Sequence, residues 1–271
     1  MTTSETSSAT STPSASVEMI SPEPPTWDRR TLMRQRWDEL AYFHWSYEPD
    51  VVQRLLPDGL IVDTFDDRAW VGLIPFEMRN VQLGPTPPVP FLGSFIEINV
   101  RTYVRDRLGR RSVWFFSLDV PRSAIVGVAR TVFSLPYCWA STEHTVDGER
   151  HRYRMRRRWP RRSGGESAVA DIAFTVGAPI ADDDVTDLDH FLSARWALVT
   201  TRRATPLYGR VHHERWPLHE VTGVRIEQDV IEAAGLPGPV GEPIARYSPG
   251  VGVSVAWFER IRSVEAVAAG G

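Results

Sequence analysis

Alternating hydrophobic and polar positions run through most of this chain and predict a protein built mainly of β-strands. The clearest alternation covers residues 95–104, because side chains of successive strand residues point to opposite faces. One face carries Ile96, Ile98, Val100, Thr102 and Val104, and the other carries Phe95, Glu97, Asn99, Arg101 and Tyr103. The turn residues 106–109 then predict that residues 112–120 return as an antiparallel partner.

Similar patterns predict the remaining strands, at 41–47, 61–65, 68–76, 137–146, 150–159, 168–176, 207–213, 221–229 and 251–258. Three short helices are predicted, at 51–56, 121–130 and 190–198, the last with Asp187 or Asp189 as N-cap. The Pro-rich residues 84–90 predict a loop, because proline cannot donate to a central strand. Many antiparallel strands with few helices indicate an α+β, predominantly antiparallel fold with a closed or strongly curved sheet.

Composition sets the ends of the folded region. Residues 1–26 are rich in Ser, Thr and Pro and predict a disordered tail without a signal peptide. Residues 263–271 predict a frayed end. The strands between them predict a single domain over residues 27–262.

Net charge and amino-acid composition argue against several classes of binding partner. All 31 basic residues are arginine, since the chain contains no lysine, and the net charge is −3. A negative chain has no global basic field, so we expect no nucleic-acid partner. The one cysteine, Cys138, suits a reducing compartment, and no apolar run is long enough to cross a bilayer. We therefore expect a soluble cytoplasmic protein without a membrane partner.

Several segments together resemble one known family. They are Phe95–Val104, Phe115–Asp119, Ala129–Arg130, Leu135–Tyr137, Phe191–Trp196 and His212–Leu218. In this order they resemble the YqjF-like family of uncharacterised proteins (domain of unknown function 2071), from about Trp37 to Trp257. That family is grouped with the acetoacetate decarboxylase-like superfamily. The resemblance implies a closed or cone-shaped antiparallel β-barrel, with a few short helices, around a pocket.

The resemblance also indicates which chemistry is missing. Glu97 matches a strand glutamate of acetoacetate decarboxylases, and Ala129-Arg130-Thr131 matches their arginine element. Tyr137 and Cys138 then occupy the positions of a lysine pair, and the chain holds no other lysine. Because a guanidinium is not a usable amine nucleophile, we expect no Schiff-base decarboxylase or aldolase chemistry.

The polar face of residues 95–104 is the strongest candidate site. Buried glutamate can act as an acid or base, so Glu97 is the candidate catalytic residue, with Tyr137 as a weaker one. Arg101 and Arg130 are candidate carboxylate clamps, with Asn99 and Tyr103 as hydrogen-bonding partners. A structural interpretation has the same weight as the functional one: this face is either a solvated strand face or carries an internal Glu–Arg pair that fixes the fold.

The segment around His212 and His213 is the second candidate. Neighbouring strand residues diverge, and the spacing is not that of a zinc site, so we expect no metal ligand here. We expect His213 to line the pocket with Trp216, and the other histidine to lie at the surface. No motif points to a cofactor, and Cys138 is expected to be a packed thiol rather than a nucleophile.

An arginine-rich strand allows two interpretations. Five arginines alternate over residues 150–158, which places them on one strand face. They form either an anion or nucleic-acid surface, or a charged edge strand that prevents aggregation and pairs with the acidic residues 182–189. We favour the edge strand, because the net charge is negative and aromatic residues are few among these arginines.

These observations lead to two functional hypotheses. The first is a pocket for a small acidic or carbonyl ligand, with acid–base catalysis by Glu97. The alternative is a non-catalytic carrier, sensor or interaction protein. The resemblance is compatible with a homo-oligomer. The sequence identifies neither the ligand nor the face of strand 95–104 that points inward.

Overall fold

Fourteen strands and four short helices make up the described part of the chain, in a computed structural model that describes residues 16–87, 93–128, 130–131, 134–203 and 205–261. The strands are β1 Thr31–Tyr47, β2 Leu60–Val62, β3 Thr64–Phe65, β4 Arg68–Leu83, β5 Phe95–Asp106, β6 Arg111–Val120, β7 Tyr137–Asp147, β8 Arg150–Trp159, β9 Val169–Pro179, β10 Ala197–Arg202, β11 Thr205–His213, β12 His219–Gln228, β13 Ile244–Ala256 and β14 Glu259–Arg260. The helices are α1 Pro49–Gln53, α2 Ser123–Val128, α3 Asp187–Ser193 and α4 Val230–Ala233.

All the strands join one mixed sheet that closes on itself twice. Pairings lead from β6 through β7, β8, β9, β12, β13, β1, β4 and β5 back to β6, which we call the first ring. They also lead from β6 through β10, β11, β13, β1, β4 and β5 back to β6, which we call the second ring. The pairs β6–β7 and β6–β10 are parallel, and the other strand pairs among the described residues are antiparallel. Five strands are therefore shared between the two rings.

Strand β5, which both rings share, buries both of its faces over most of its length, because each face points into a different ring. On β5, Ile98 and Val100 join the core of the first ring with Phe43 and Leu73. Tyr103, on the opposite face, packs in the second ring against Phe191. The period of two thus explains why residues 97–104 are buried without interruption.

Local signals predicted most elements and missed others. The hairpin of β5 and β6 forms, and β8 has the predicted bounds. Strand β1, however, begins at Thr31 rather than residue 41, and passes through a bulge where Glu39 has φ 54°. The predicted helix 190–198 is wrong in its second half, since residues 197–202 pair with β11 and β6 as β10. Its tertiary partners override the helical pattern.

The cap of α3 also differs from the prediction. Thr186, rather than an aspartate, is the N-cap and accepts from the Asp189 amide. The Thr186 amide in turn donates to Asp189 Oδ2, which completes a capping box. The predicted loop at 84–90 begins after β4 ends at Leu83, and residues 88–90 lie outside the described residues.

The arginine-rich strand is not an edge strand, which corrects the interpretation favoured from sequence. Strand β8 pairs with β7 on one side and β9 on the other. Its alternating arginines do share an exposed face. Arg152 and Arg154 pair with Asp171, and Arg154 also with Glu143, while the predicted acidic run 182–189 pairs elsewhere.

The described N-terminal residues contact the strands and loops of the domain. Residues 16–26 belong to the predicted disordered tail, yet they lie against the domain. The Glu18 amide donates to the Gly109 carbonyl, and Trp196 Nε1 donates to the Ser21 carbonyl. No helix among the described residues has the length and apolar character needed to span a membrane.

Candidate functional site

The polar face of β5 points into the second ring. Glu97 and Asn99 are 3% exposed, Arg101 is 8% exposed and Tyr103 is fully buried. This excludes the interpretation of a solvated face. The four side chains divide into two groups along the strand: Glu97 with Asn99, and Arg101 with Tyr103.

At one end of this face, Glu97 meets Tyr137. The Tyr137 hydroxyl donates to Glu97 Oε2 at 3.2 Å, and Asn99 Nδ2 donates to Glu97 Oε1 at 3.5 Å. Burial raises the pKa of Glu97 to about 7, although both hydrogen bonds favour the ionised form, and nearby Asp119 raises it further. A carboxyl group with this pKa can both give and accept a proton near neutral pH.

Cys138 lies on the opposite face from Tyr137, as alternation predicted. Its Sγ contacts the Pro136 carbonyl at 3.6 Å, and it lies near the buried pair of Asp119 and Arg157. Burial and the Asp119 charge raise the pKa of the thiol to about 11. A thiol that stays protonated is a poor nucleophile, in keeping with a packed residue.

At the other end of the face, Arg101 is a buried cation without a carboxylate partner. Its Nη2 donates to Tyr103 Oη at 3.2 Å and to the Leu192 carbonyl at 3.3 Å. Its Cζ lies 5.5 Å from the centre of the Tyr42 ring. Among the described residues no Asp or Glu forms an ion pair with it, so the predicted Glu–Arg pair does not form. Its Nε has no hydrogen-bond partner.

Sequence reasoning missed His44, which holds Tyr103. His44 Nε2 lies 2.6 Å from Tyr103 Oη, and Tyr103 Oη lies 2.7 Å from the Leu192 carbonyl. Burial lowers the pKa of His44 well below its usual value, and the Arg101 charge lowers it further. The sequence signal for His44 was Gly72, a glycine inside a strand, which marks a close approach of another group. Gly72 lies opposite His44 in the β1–β4 register, and a Cβ there would lie 2.6 Å from His44 Nε2.

Aromatic side chains surround the Arg101 end. Trp216 stacks on Trp37, with ring centres 6.1 Å apart, and meets the Tyr42 ring edge-on at 5.7 Å. His213 lies 4.8 Å from Trp216, and its Nδ1 lies 2.6 Å from the Glu214 carbonyl. Burial lowers the pKa of His213 to about 4. The structure thus places His213 beside Trp216 at this end of the face, whereas the His212 ring faces Trp27.

Five buried polar atoms on this side of β1 and β5 have no hydrogen-bond partner. They are Gln35 Oε1, Trp37 Nε1, Tyr42 Oη, Asn99 Oδ1 and Arg101 Nε. Buried polar groups in native proteins are nearly always paired with protein, water or ligand. The concentration of such atoms in one ring therefore marks it as the candidate site.

Sequence comparison places the chain in a family. The model of DUF2071, described as an uncharacterised conserved protein, matches residues 34–252. The chain belongs to the DUF2071 family. It is 31% identical over 218 residues to the uncharacterised protein YqjF of Bacillus subtilis (strain 168). The aligned residues cover 80% of this chain and 87% of that protein.

Structural comparison places this DUF2071 protein in the acetoacetate decarboxylase-like fold. Acetoacetate decarboxylase from Legionella pneumophila matches with a TM-score of 0.59 and 12% identity, over 89% of this chain and 92% of that one. The enduracididine biosynthesis enzyme MppR complexed with pyruvate matches with a TM-score of 0.58 and 13% identity, over 88% and 90%. At such identities the likeness concerns the fold alone.

Arg130 departs from its predicted role in this DUF2071 protein. Its side chain is exposed, donates from Nη1 to the Tyr137 carbonyl at 2.6 Å and lies over the Trp159 ring. It makes no described contact with Arg101, so the two do not form one clamp. Arg130 instead holds the backbone that presents Tyr137 to Glu97.

A second charged group, also missed from sequence, lies behind Tyr103. Asp63 is buried and forms ion pairs with Arg105, Arg111 and Arg195. The Arg195 Cζ lies 4.7 Å from the Tyr103 ring centre, and its Nη2 lacks a partner. With Arg101, four guanidiniums thus accompany one carboxylate. Among the described residues, no group of three His, Cys, Asp or Glu side chains is arranged to hold a metal ion.

Proposed function

We propose that the second ring binds a small carboxylate or carbonyl compound, with Arg101 as the carboxylate anchor and Glu97 as a proton donor and acceptor. The observation that carries this proposal is the buried Arg101 guanidinium, which has no carboxylate partner and an unused Nε–H. The closed, cone-shaped barrel that the fold likeness suggests belongs to the same proposal, with the second ring as its pocket.

Electrostatics favours an anionic ligand at Arg101. Burying an unpaired charge is costly, and a ligand carboxylate offsets this cost through charge-assisted hydrogen bonds. The nearby Asp63 group leaves additional positive charge uncompensated on the same side of the ring. The unpartnered donors Trp37 Nε1 and Tyr42 Oη also suit an oxygen-rich ligand.

Glu97 and Tyr137 supply the acid–base chemistry of the proposal. A pKa of about 7 leaves comparable amounts of both protonation states at neutral pH. Asn99 lies between Glu97 and Arg101 on the strand, and its free Oδ1 accepts a hydrogen bond from the ligand. MppR, a neighbour in fold, is described in complex with pyruvate, a small oxo acid. An imine mechanism is not part of the proposal, because the sequence contains no lysine.

The burial of the site is compatible with a carrier or sensor as well as with an enzyme. Glu97, Asn99, Arg101 and Tyr103 are all nearly or fully buried, so a bound ligand would be enclosed by protein. Enclosure suits tight retention of a ligand as well as catalysis. The two functions differ in whether Glu97 exchanges a proton with the ligand.

A thermal-shift titration tests binding. Pyruvate is the probe, and methyl pyruvate is its uncharged control. At about a hundred times its dissociation constant, a ligand adds roughly 2.7 kcal/mol to stability. We expect pyruvate to stabilise the wild type and not Arg101→Gln, while the exposed β8 variant Arg150→Gln behaves as wild type. Equal stabilisation of both variants would remove Arg101 from the proposal.

Hydrogen–deuterium exchange of the pyruvate methyl group tests catalysis. An enzyme with Glu97 as base accelerates exchange in D₂O, and Glu97→Gln abolishes the acceleration while retaining binding. Binding without acceleration in the wild type would favour the carrier. If small carboxylates and carbonyl compounds of every class fail to stabilise the protein, both functions are contradicted.

A further inference from the structure

Residues 16–24 cross the outside of the second ring over the cluster that contains Tyr103. The Glu18 amide donates to the Gly109 carbonyl in the β5–β6 turn, and the Glu18 carboxylate accepts from the Arg111 amide at 2.8 Å. Further along, the Ser21 carbonyl accepts from Trp196 Nε1 at 3.1 Å. The segment is therefore attached to the β5–β6 hairpin and to the residues after α3, and Glu23 adds an ion pair of 3.9 Å with Arg215.

Along this path, the segment covers residues that contact the site. Ile20 packs against the cluster that contains Tyr103 and Phe191. Pro22 borders a small crevice together with Trp196 and Trp216. Trp196 in turn lies 4.6 Å from His213. The side chains directly beneath the segment are thus the immediate neighbours of Arg101 and its aromatic wall.

A chain of ionic contacts links the segment to the site. Arg111 Nε donates to the Glu18 carbonyl, and its Nη1 pairs with Asp63. Asp63 also binds Arg195, whose guanidinium lies over the Tyr103 ring. Tyr103 accepts from Arg101 Nη2. In this series of contacts, Arg111 is the residue that binds both the segment and the buried charges. A displacement of Glu18 therefore changes the contacts of Arg111 first.

We propose that residues 16–24 are a strap that closes the second ring over the Arg101 site and opens to admit its ligand. The nature of that ligand rests on the function proposed above, whereas the closure itself does not.

The strap is held weakly enough to open. Glu18, Met19, Ser21 and Glu23 are exposed, and Ile20 is the one large apolar side chain of the segment that packs on a core cluster. Segments with few buried apolar contacts and exposed hydrogen bonds open at a small fraction of the global unfolding free energy. A site as buried as Arg101 needs such an opening for exchange with solvent.

A matched pair of variants tests closure without any ligand. Ile20→Ser removes the buried anchor, and Met19→Ser changes a side chain that is 88% exposed. We expect acrylamide to quench the tryptophan fluorescence of Ile20→Ser about twofold more strongly than that of Met19→Ser or the wild type, because opening exposes Trp196 and its neighbours. Equal quenching in all three proteins would overturn the strap.

A second pair of variants distinguishes release of the strap from a local folding defect in Ile20→Ser. A Cβ at Gly109 would overlap the Ser16 carbonyl oxygen, whereas a Cβ at Gly148 meets nothing within 4 Å. Both glycines have positive φ in hairpin turns, 76° and 59°, so Ala strains both backbones alike. Gly109→Ala should raise quenching as Ile20→Ser does, and Gly148→Ala should not. A rise in Gly148→Ala of the same size would contradict strap release as the cause.

Stopped-flow mixing with pyruvate connects the strap to the site. Ile20→Ser should raise the association and dissociation rates together by roughly tenfold and leave the dissociation constant within about twofold, because it destabilises the closed state with and without ligand. Unchanged rates would show that the ligand enters elsewhere and overturn the gating role. If the wild type binds neither pyruvate nor any other small carboxylate or carbonyl compound, the proposed function fails, while the quenching experiment still tests closure.

Discussion

The Tyr137 hydroxyl donates to Glu97 Oε2 across 3.2 Å and joins the first residue of β7 to the third residue of β5. These strands are not paired with each other; both pair with β6. Because the parallel β6–β7 pairing sets the start of β7, this hydrogen bond depends on a non-local strand order. It joins an acid–base group, whose pKa is raised mainly by burial, to a hydroxyl whose hydrogen bond lowers that pKa.

Tyr137→Phe should raise the pKa of Glu97 above its value of about 7, because the lost hydrogen bond favours the ionised carboxylate. A ¹³C NMR titration of the glutamate carboxyl groups measures the change. Tyr247→Phe removes a hydrogen bond to Glu39 instead and serves as the control. A Glu97 pKa that is unchanged in Tyr137→Phe would contradict the geometry of the pair.

Glu97 should make the protein less stable as pH rises from 4.5 to about 7. Its pKa is raised on folding, so the folded state holds the proton more tightly, and this contribution is complete below pH 4.5 and lost through pH 7. Between pH 4.5 and pH 7, the contribution of Glu97 to the free energy of unfolding therefore falls by about 3 kcal/mol. Urea unfolding of Glu97→Gln across this range should lack this loss, and a wild-type pH slope in that variant would disprove the assignment.

His213 should act in the opposite direction. Its pKa falls from 6.5 to about 4 on folding, so its contribution is complete above pH 6.5 and is lost as the pH falls to 4. The two effects largely cancel in the wild type between pH 4.5 and 6.5. Stability of His213→Gln should therefore fall more steeply with rising pH than that of the wild type, by up to about 1.4 kcal/mol per pH unit. Parallel curves would exclude His213 as the cause.

Substitution of two arginines of β8 by alanine should lower the free energy of unfolding by very different amounts. Arg157 is buried and binds Asp119 through two hydrogen bonds of 2.7 Å, so Arg157→Ala leaves a buried carboxylate unpaired and should cost about 3–5 kcal/mol. Arg152 makes the same bidentate contact with Asp171 at the surface. Chemical denaturation should show a much smaller change for Arg152→Ala, and similar changes for both would contradict this view.

Gly72→Ala should displace His44 and with it Tyr103. The added Cβ would lie 2.6 Å from His44 Nε2, and such overpacking costs about 1–3 kcal/mol. Gly252→Ala is the control, since a Cβ there meets nothing within 4 Å. We expect a lower thermal midpoint and weaker pyruvate binding for Gly72→Ala alone. Equal midpoints would show that His44 has room to move.

Sequence patterns predicted those parts of the fold that depend on local alternation. Strand β8 and the β5–β6 hairpin follow from a period of two and from turn residues. Residues 197–202 show the limit of this reasoning, because their strand pairing comes from β6 and β11, which are distant in the chain. The N-terminal strap shows it too, since composition there indicated disorder while contacts with Arg111 and Trp196 hold it in place.

The candidate site divides in the same way. Alternation alone put Glu97, Asn99, Arg101 and Tyr103 on one face, and the missing lysine alone removed Schiff-base chemistry. Only the tertiary structure decided that this face is buried, that Arg101 lacks a carboxylate partner, and that Arg130 lies outside while His44 lies inside. The reason is physical. Local periodicity fixes which side chains share a face, but burial and pairing depend on strands that meet only when both rings close.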